Sequence, residues 1–375
     1  MSEPGAIEVS AGDVVVLVGT SKGLFALTAD AGRTTWTTTG PWFRGEEIYA
    51  AALDTRNGRT RLLVGATSGH WGPSVYRSDD LGATWVEPEP DTLRFPEETG
   101  AAVDRVWQLK PAPDSANQPD VVYAGVEPAA LFRSEDGGVT FSLDRGLWDH
   151  EHRPQWQPGG GGLCLHTIIP DPAGGPRMAV AISAAGFYRT LDGRTWEAAN
   201  SGIKAPFLPE PTPEFGQCVH KVDFHPSQPD TLFLQHHWGV YRSDDYGGTW
   251  TEIGADDLPS TFGFPIVADP NRPETAYVLP LEGDFFRCTP DGRLRVYRTA
   301  DGGKTFEALG NGLPQDNAYL TVLRDAFAAD ALDPAGLYLG TRTGDVFGSP
   351  DAGESWQELA RHLPPVLCVK TAVVR

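Results

Sequence analysis

Residues 241–250 are Tyr-Arg-Ser-Asp-Asp-Tyr-Gly-Gly-Thr-Trp, and versions of this pattern recur along the whole chain of 375 residues. The pattern combines an aromatic residue, a serine or threonine, an aspartate–glycine turn and a closing aromatic residue. The aligned aspartates lie 50 to 56 residues apart, at Asp30, Asp80, Asp136, Asp192, Asp245, Asp301 and Asp351. Repeats of this length suit one propeller blade each. The sequence therefore predicts an all-β fold: a single seven-bladed β-propeller of four-stranded antiparallel blades.

The repeated aspartate is predicted to be structural. Its carboxylate and the hydroxyl of the preceding serine or threonine can accept N–H groups of a turn. Glycine supplies the positive φ, and the closing tryptophan or phenylalanine supplies apolar area for packing. A catalytic group is needed once, whereas a structural turn is needed in every blade.

The two ends of the chain are predicted to share one blade. Val14–Val18 precede the first motif without room for an innermost strand, and Val366–Val374 follow the last motif. A C-terminal strand that completes the first blade would remove an open sheet edge. Residues 1–12 are then an N-terminal extension, and residues 13–375 form the propeller.

The repeats resemble the Asp-box (BNR) repeats of the sialidase-like superfamily, over essentially the whole chain. That superfamily includes glycosidases, sorting receptors and assembly factors, so the resemblance implies an architecture more than an activity. Sialidases have six blades and an early Arg-Ile-Pro motif; this chain has seven repeats and no such triplet, so a true sialidase is not expected. The seven-bladed xyloglucan-cleaving enzymes match the blade number better, but they pair two propellers where this chain has one.

Charge and composition narrow the range of partners. Fifty acidic and thirty basic residues give a net charge of −20, which disfavours nucleic acid and anionic membranes. The N-terminal residues have no apolar segment of the signal-peptide kind, and the four cysteines show no CxxC spacing. These features predict a cytoplasmic protein with free thiols. Without a P-loop or dinucleotide fingerprint, no nucleotide cofactor is expected.

Aligning the innermost strands places side chains in two rows. The first row holds Glu47, Arg105, Cys164, Cys218 and Phe262, and the second holds Tyr49, Trp107, His166, His220 and Phe264. Residues two apart on a strand point to the same side, so the rows are expected to meet at the mouth of a central channel. The loops after the second strands add His70, Trp71, Glu127, His236, His237, Trp238, Glu282, Asp284 and Arg342.

One hypothesis for this face is a transition-metal site for zinc, copper or iron. Its predicted ligands are His166, His220, His236 and His70, with His237 as an alternative to His236 and with Cys164 or Cys218 as additional ligands. Imidazole and thiolate suit these metals, and three ligands with one open position is a catalytic arrangement. The alternative is that these side chains are buried, hydrogen-bonded channel residues.

A second hypothesis is a polar pocket that works without metal. Glu47, Glu127 and Glu282 are the predicted catalytic acids or bases. Arg105 and Arg342 are predicted to bind an anionic group, and Trp71, Trp107 and Trp238 to stack on a sugar or aromatic ligand. The long segment 144–162, with aromatic residues followed by four glycines, is predicted to cover such a ligand.

The predicted function is the binding of a small polar ligand, sugar-like or anionic, at the channel mouth. As an enzyme, the chain would be a glycoside hydrolase-like protein or a metal-assisted hydrolase or lyase. The alternative is a non-catalytic scaffold that docks a protein partner. A pocket requires His, Glu and Trp turned inward, whereas a docking scaffold exposes an apolar patch.

Overall fold

A computed structural model describes residues 4–113, 117–206 and 208–375. These residues form 27 strands in seven antiparallel sheets, with a single short α-helix, α1 (Arg145–Trp148). The predicted all-β, seven-bladed propeller is confirmed. Within the described ranges, no helix has the length and apolar character needed to cross a bilayer.

The first blade joins the two ends of the chain, as predicted. Its sheet has the order β27-β1-β2-β3, with β1 (Val14–Thr20), β2 (Gly23–Ala29), β3 (Thr37–Trp42) and β27 (Val366–Val373). Just beyond the strands, the Val374 N–H donates to the Asp13 carbonyl at 2.9 Å, and the Gly12 N–H donates to the Val374 carbonyl at 2.8 Å. The C-terminal strand therefore occupies the edge that the first repeat leaves open.

The next three blades follow in chain order, each starting with its innermost strand. The second contains β4 (Glu47–Asp54), β5 (Arg61–Ser68) and β6 (Gly72–Ser78), and a single Arg77–Val86 bridge stands at its outer edge. The third contains β7 (Arg105–Pro111), β8 (Val122–Glu127), β9 (Ala130–Ser134) and β10 (Ser142–Leu143). The fourth contains β11 (Leu165–Pro170), β12 (Met178–Ile182), β13 (Gly186–Thr190) and β14 (Trp196–Ala198).

The last three blades repeat the same hairpin order. The fifth contains β15 (Val219–Phe224), β16 (Leu232–His236), β17 (Gly239–Ser243) and β18 (Thr251–Ile253). The sixth contains β19 (Gly263–Ala268), β20 (Ala276–Pro280), β21 (Val296–Thr299) and β22 (Glu307–Leu309). The seventh contains β23 (Phe327–Ala329), β24 (Leu337–Gly340), β25 (Val346–Ser349) and β26 (Gln357–Ala360).

The repeated aspartate is a turn residue, as predicted. In the fifth blade the Ser243 hydroxyl donates to Asp245 Oδ1 at 2.8 Å and accepts the Gly247 N–H at 2.8 Å. The Thr249 N–H donates to the same Oδ1 at 2.8 Å. The same three bonds recur around Asp80, Asp136, Asp301 and Asp351. Gly247 has a φ of 82°, which glycine adopts without strain.

The closing tryptophan packs against residues of the preceding repeat and hydrogen-bonds to one of them. Trp250 is 4% exposed, and its Nε1 donates to the Ala199 carbonyl at 2.9 Å. Its ring meets Phe187 edge-on, with centroids 5.3 Å apart. A large aromatic side chain buried in this way stabilises the fold chiefly through its apolar area.

The chain packs as two compact units. One comprises Met1–Ser183, Arg189–Glu197 and Lys370–Arg375, and the other Ala184–Tyr188 and Ala198–Val369. The first unit has core clusters built around Leu17, Leu24 and Val64, and around Val106 and Phe132. The second has a core cluster that includes Phe233, Ile266 and Val278. Each unit thus has its own apolar core, formed between the faces of its sheets.

Candidate functional site

The innermost strands of blades two to six share a β-bulge at the same place. Pairing with the neighbouring strand shifts across Tyr49, Trp107, His166, His220 and Phe264. These are the five residues of the predicted second row. A bulge leaves its extra residue outside the ladder and re-aims the side chain. The strand register thus agrees with the alignment made from the sequence. It also shows that each second-row residue is the extra residue of a bulge, which explains why these side chains occupy equivalent positions.

Strand pairing also defines a third equivalent position, at the end of the second strand. Glu127 lies opposite Arg105 in the third blade. In the fifth blade the His237 N–H donates to the Cys218 carbonyl at 3.0 Å, and in the fourth the Ser183 N–H donates to the Cys164 carbonyl at 2.9 Å. Each blade therefore presents a first-row residue, a bulge residue and the residue facing the first row.

Five side chains that the sequence analysis named lie close together in the first unit, and we call them the arginine cluster. They are Glu47, Tyr49, Arg105, Trp107 and Glu127. Arg105 donates through Nη1 to Glu127 Oε2 at 3.0 Å and through Nη2 to Glu47 Oε2 at 3.3 Å. Trp107 Nε1 also donates to Glu127 Oε2, at 3.0 Å. One guanidinium therefore bridges two carboxylates from adjacent blades.

Aromatic rings flank this guanidinium. The Arg105 Cζ atom lies 4.7 Å from the ring centroid of Tyr49 and 5.7 Å from that of Trp107. Burial by itself lowers the pKa of Arg105, but Tyr49, Glu127 and Glu47 outweigh it and hold that pKa above its ordinary value. All five side chains are partly exposed, so the cluster is ordered by its own contacts and still open to a ligand.

The segment 144–162 reaches the arginine cluster through its glycine end. Its start is the short helix α1, capped by Asp144 Oδ1, which accepts the Leu147 N–H at 2.9 Å. In its middle, residues of the segment contact one another, and the Arg153 guanidinium lies 3.3 Å from the Trp148 ring centroid. At Gly162, where φ is 87°, an added Cβ would collide with the Glu127 carboxylate. Glycine at this point lets the backbone lie against Glu127.

The second unit holds a cysteine–histidine cluster formed by Cys218, His220 and His237. Their ligand atoms all lie within 4.8 Å of one another, and no other group of three or more His, Cys, Asp or Glu residues in the described part of the chain does so. Cys218 Sγ is 3.7 Å from His220 Nε2. On its other side, His220 Nδ1 lies 2.6 Å from the Gly263 carbonyl oxygen. Because that oxygen only accepts, Nδ1 carries the proton and Nε2 is left with its lone pair.

The surroundings of this cluster are apolar and cationic. The ring centroids of His220 and Phe264 are 4.9 Å apart, and those of His237 and Phe262 are 5.0 Å apart. Burial, assisted by Arg324, lowers the pKa of His220 well below its ordinary value. Burial also lowers the pKa of His237, against the opposing effect of Asp284, and burial raises the pKa of Cys218. Both imidazoles are therefore neutral at neutral pH.

Two of the four predicted metal ligands are buried outside this cluster. His166 is fully buried, with Nδ1 2.9 Å from the Thr167 hydroxyl. His236 is fully buried, and its Nδ1 accepts the Trp238 N–H at 3.1 Å. Its ring packs against Tyr241, and burial lowers the pKa of His236 to about 3. Adjacent residues on a strand face opposite sides, so His237, the predicted alternative to His236, joins Cys218 and His220.

The remaining predicted site residues lie on exposed loops. Trp71 is 89% exposed and Trp238 is 41% exposed. His70, Glu282 and Arg342 are exposed as well. The structure thus brings together Glu47, Arg105, Trp107 and Glu127 from the predicted polar pocket, and His220 from the predicted metal site. His220 is joined by Cys218 and His237, which the sequence offered as an additional and an alternative ligand. The arginine cluster also includes Tyr49, a row residue with no predicted role, and it contacts Gly162 of the predicted covering segment.

Known proteins are similar to this chain over part of its length. A family model for the BNR-Asp box repeat matches residues 240–253. A xyloglucanase from Hypocrea jecorina (strain QM6a) is 27% identical over 311 residues, which cover 70% of this chain and 32% of the relative. A Paenibacillus xyloglucanase is 29% identical over 260 residues, covering 62% of this chain and 24% of the relative.

Among solved structures, an ancestral GH74 enzyme superimposes with a TM-score of 0.58 and 17% identity, covering 84% of this chain and 38% of that one. The chain spans about a third or less of the curated xyloglucanases that it matches. The structural likeness supports the fold, and the family model identifies the repeat on which the fold is built. The chain is an Asp-box (BNR) repeat β-propeller.

Proposed function

We propose that the arginine cluster binds a sugar-like ligand and that hydrolysis of a glycosidic bond is the reaction it supports. The observation that carries the proposal is the bridge from Arg105 to Glu47 and Glu127, flanked by the rings of Tyr49 and Trp107. Carboxylates and a guanidinium hydrogen-bond sugar hydroxyls, while aromatic rings pack on the apolar face of a sugar. The similarity to xyloglucanases favours the same ligand class.

Two carboxylates are the side chains that glycoside hydrolysis requires. One acts as the acid that protonates the leaving oxygen, and the other as base or nucleophile on the opposite side of the bond. Glu127 is 17% exposed and held by Arg105 and Trp107, whereas Glu47 is 40% exposed and held by Arg105. The more constrained Glu127 is the position where a substitution tests the proposal best.

The test is a calorimetric titration of the purified chain with xyloglucan-derived oligosaccharides and with oligosaccharides that contain uronic acids. We expect the native chain to bind an oligosaccharide and Glu127→Gln to bind it at least about tenfold more weakly. The reason is that the neutral amide cannot form an ion pair with Arg105. Glu197→Gln is the matched control, since Glu197 Oε1 accepts from Arg189 at 2.7 Å in an exposed pair on an outer strand. Equal binding by both variants, or no binding of any sugar by the native chain, would contradict the proposal.

Partner docking is a second candidate, supported by one patch in the second unit. Phe285 is 100% exposed, Phe286 is 49% exposed and Tyr319 is 55% exposed, with the latter two ring centroids 6.2 Å apart. Exposed aromatic residues of this kind mark interaction surfaces. Sedimentation velocity on the native chain and on Phe285→Ser/Phe286→Ser tests the simplest partner, a second copy. Dimers that the double variant abolishes would support docking, and monomers in both samples would count against self-association.

A further inference from the structure

The cysteine–histidine cluster has the donor set and the geometry of a metal site, and it shares no residue with the arginine cluster. Its three members come from two adjacent strand ends of one blade, at the start of β15 and just after β16. The His237 N–H to Cys218 carbonyl bond of 3.0 Å fixes these two ends against each other. The ligand atoms already lie within 4.8 Å of one another, so a metal ion would not require the strands to move apart.

The orientation of His220 is that of a metal-ligating histidine. Ligating histidines almost always donate their second ring N–H to a carbonyl or carboxylate, which fixes the tautomer and turns the other nitrogen toward the metal. His220 Nδ1 makes this bond to the Gly263 carbonyl at 2.6 Å, and Nε2 faces Cys218 Sγ. Asp284 Oδ2 lies 3.6 Å from His237 Nε2, so a carboxylate is also at hand for the second histidine.

We propose that Cys218, His220 and His237 bind a divalent transition-metal ion of the zinc class, with the fourth coordination position left open. One thiolate and two imidazoles suit zinc and its neighbours, while magnesium and calcium require oxygen ligands. Metal entry displaces the proton of the Cys218 thiol, so binding releases one proton per ion. Of the ligands that the sequence offered, the proposal keeps His220 and the alternatives His237 and Cys218, and it leaves out His166, His236 and His70.

The fourth blade supplies a matched control within the same chain. Cys164 and His166 occupy the positions of Cys218 and His220, but Ser183 occupies the position of His237. Two ligands of this kind bind a metal ion far less tightly than three. Cys164→Ser therefore removes a buried thiol at an equivalent position and should leave the proposed metal site intact.

The test is a Co²⁺ titration of the chelator-treated full chain, followed by the near-ultraviolet charge-transfer band that a thiolate–cobalt bond produces. The native chain should develop the band with one ion bound, and added Zn²⁺ should displace it. Cys218→Ser should lose the band, His237→Gln should weaken Co²⁺ binding at least about tenfold, and Cys164→Ser should behave as the native chain. Circular dichroism melting identifies any variant that fails to fold.

Three outcomes would overturn the proposal. They are no thiolate band in the native chain, a band that persists in Cys218→Ser, or a band lost equally in folded Cys164→Ser. In each case the cluster would be a buried set of hydrogen-bonded side chains. His237→Gln keeps the test decisive should Cys218→Ser misfold, because His237 is only half-buried and its replacement leaves the thiol in place.

Discussion

In the third blade the first-row residue is Arg105 and the facing strand ends in Glu127; in the fifth blade these positions hold Cys218 and His237. Each of the two blades has a β-bulge on its innermost strand, at Trp107 in the third blade and at His220 in the fifth. The two clusters therefore have the same backbone arrangement and differ in their side chains. In the third blade these side chains are charged and flanked by aromatic rings, and in the fifth they are the proposed metal ligands. The blade is therefore a structural scaffold, and the three positions presented by its two innermost strands carry different side chains in different blades.

The largest expected effect comes from damaging that scaffold. Trp250→Ala removes a buried ring and its hydrogen bond to Ala199, and should lower the free energy of unfolding by about 3–5 kcal/mol. Urea denaturation followed by tryptophan fluorescence measures the change. Trp71→Ala is the control, because Trp71 is 89% exposed and its removal should change the stability by less than about 0.5 kcal/mol. Equal losses in the two variants would refute the structural role of the motif tryptophan.

The next largest effect is expected from a change at Gly162, whose backbone lies against the arginine cluster. Gly162→Ala should weaken oligosaccharide binding by about tenfold, because the new methyl group displaces the Glu127 carboxylate from Arg105. Gly216→Ala is a matched control: Gly216 also has a φ of 87°, but an added Cβ there meets nothing within 4 Å. Both variants should lose about 1–2 kcal/mol of stability from the positive φ. Calorimetry should show impaired binding in Gly162→Ala alone, and a shared defect would refute the contact.

Acid should weaken the scaffold through the motif aspartates. The backbone and hydroxyl of Thr305 hold the pKa of Asp301 at about 2, and the hydroxyl of Thr84 is the main cause of the lowered pKa of Asp80. A carboxyl whose pKa is lower in the folded than in the unfolded chain stabilises the fold above the unfolded value of about 4. That stabilisation is lost as the pH falls toward about 2.

Urea midpoints measured across this acid range check the sign. The midpoint of the native chain should fall as the pH drops below about 4, and Asp301→Asn should show a shallower fall. Asp316→Asn, at an exposed aspartate outside the motifs, is the control and should follow the native slope. An unchanged slope in Asp301→Asn would show that this carboxylate does not contribute in the way its hydrogen bonds indicate.

The smallest expected effect on metal binding tests which of two neighbouring histidines faces the cluster. His236→Asn should leave Co²⁺ affinity within about twofold of the native value, although the loss of a buried ring lowers stability. His237→Gln, one residue away, should abolish most of that affinity. Spectroscopic titration of both variants compares them directly, and a larger defect in His236→Asn would mean that the strand register has been misassigned.

The scaffold was predictable because its signals are local and repeated. The spacing of the motif aspartates predicts the blade number, and the absence of room before Val14 predicts the closure by β27. The rows were predictable for a related reason, since each innermost strand ends in a recognisable Pro-containing or acidic turn. Arg105, Trp107 and Glu47 were therefore placed near one another from the sequence, and the structure confirms their proximity.

The choice between His236 and His237 was not predictable by counting residues. Glu127 lies seven residues before Ser134, and counting seven residues back from Ser243 arrives at His236. The hairpins differ in length, however, because Val126 pairs with Ala130 whereas His236 pairs with Gly239. One residue fewer in the turn of the fifth blade moves the equivalent position to His237. A shift of one residue reverses the face of a strand, so a small change in turn length decides which histidine joins the cluster.

A crossed titration shows directly whether the two clusters bind their ligands independently. Calorimetry would measure xyloglucan-derived oligosaccharide and Co²⁺ binding to the native chain, to Glu127→Gln and to His237→Gln. We expect Glu127→Gln to lose the sugar and keep the metal, and His237→Gln to lose the metal and keep the sugar. Variants that lose both ligands together, or that lose neither, would contradict the claim that equivalent positions on one scaffold carry two separate sites.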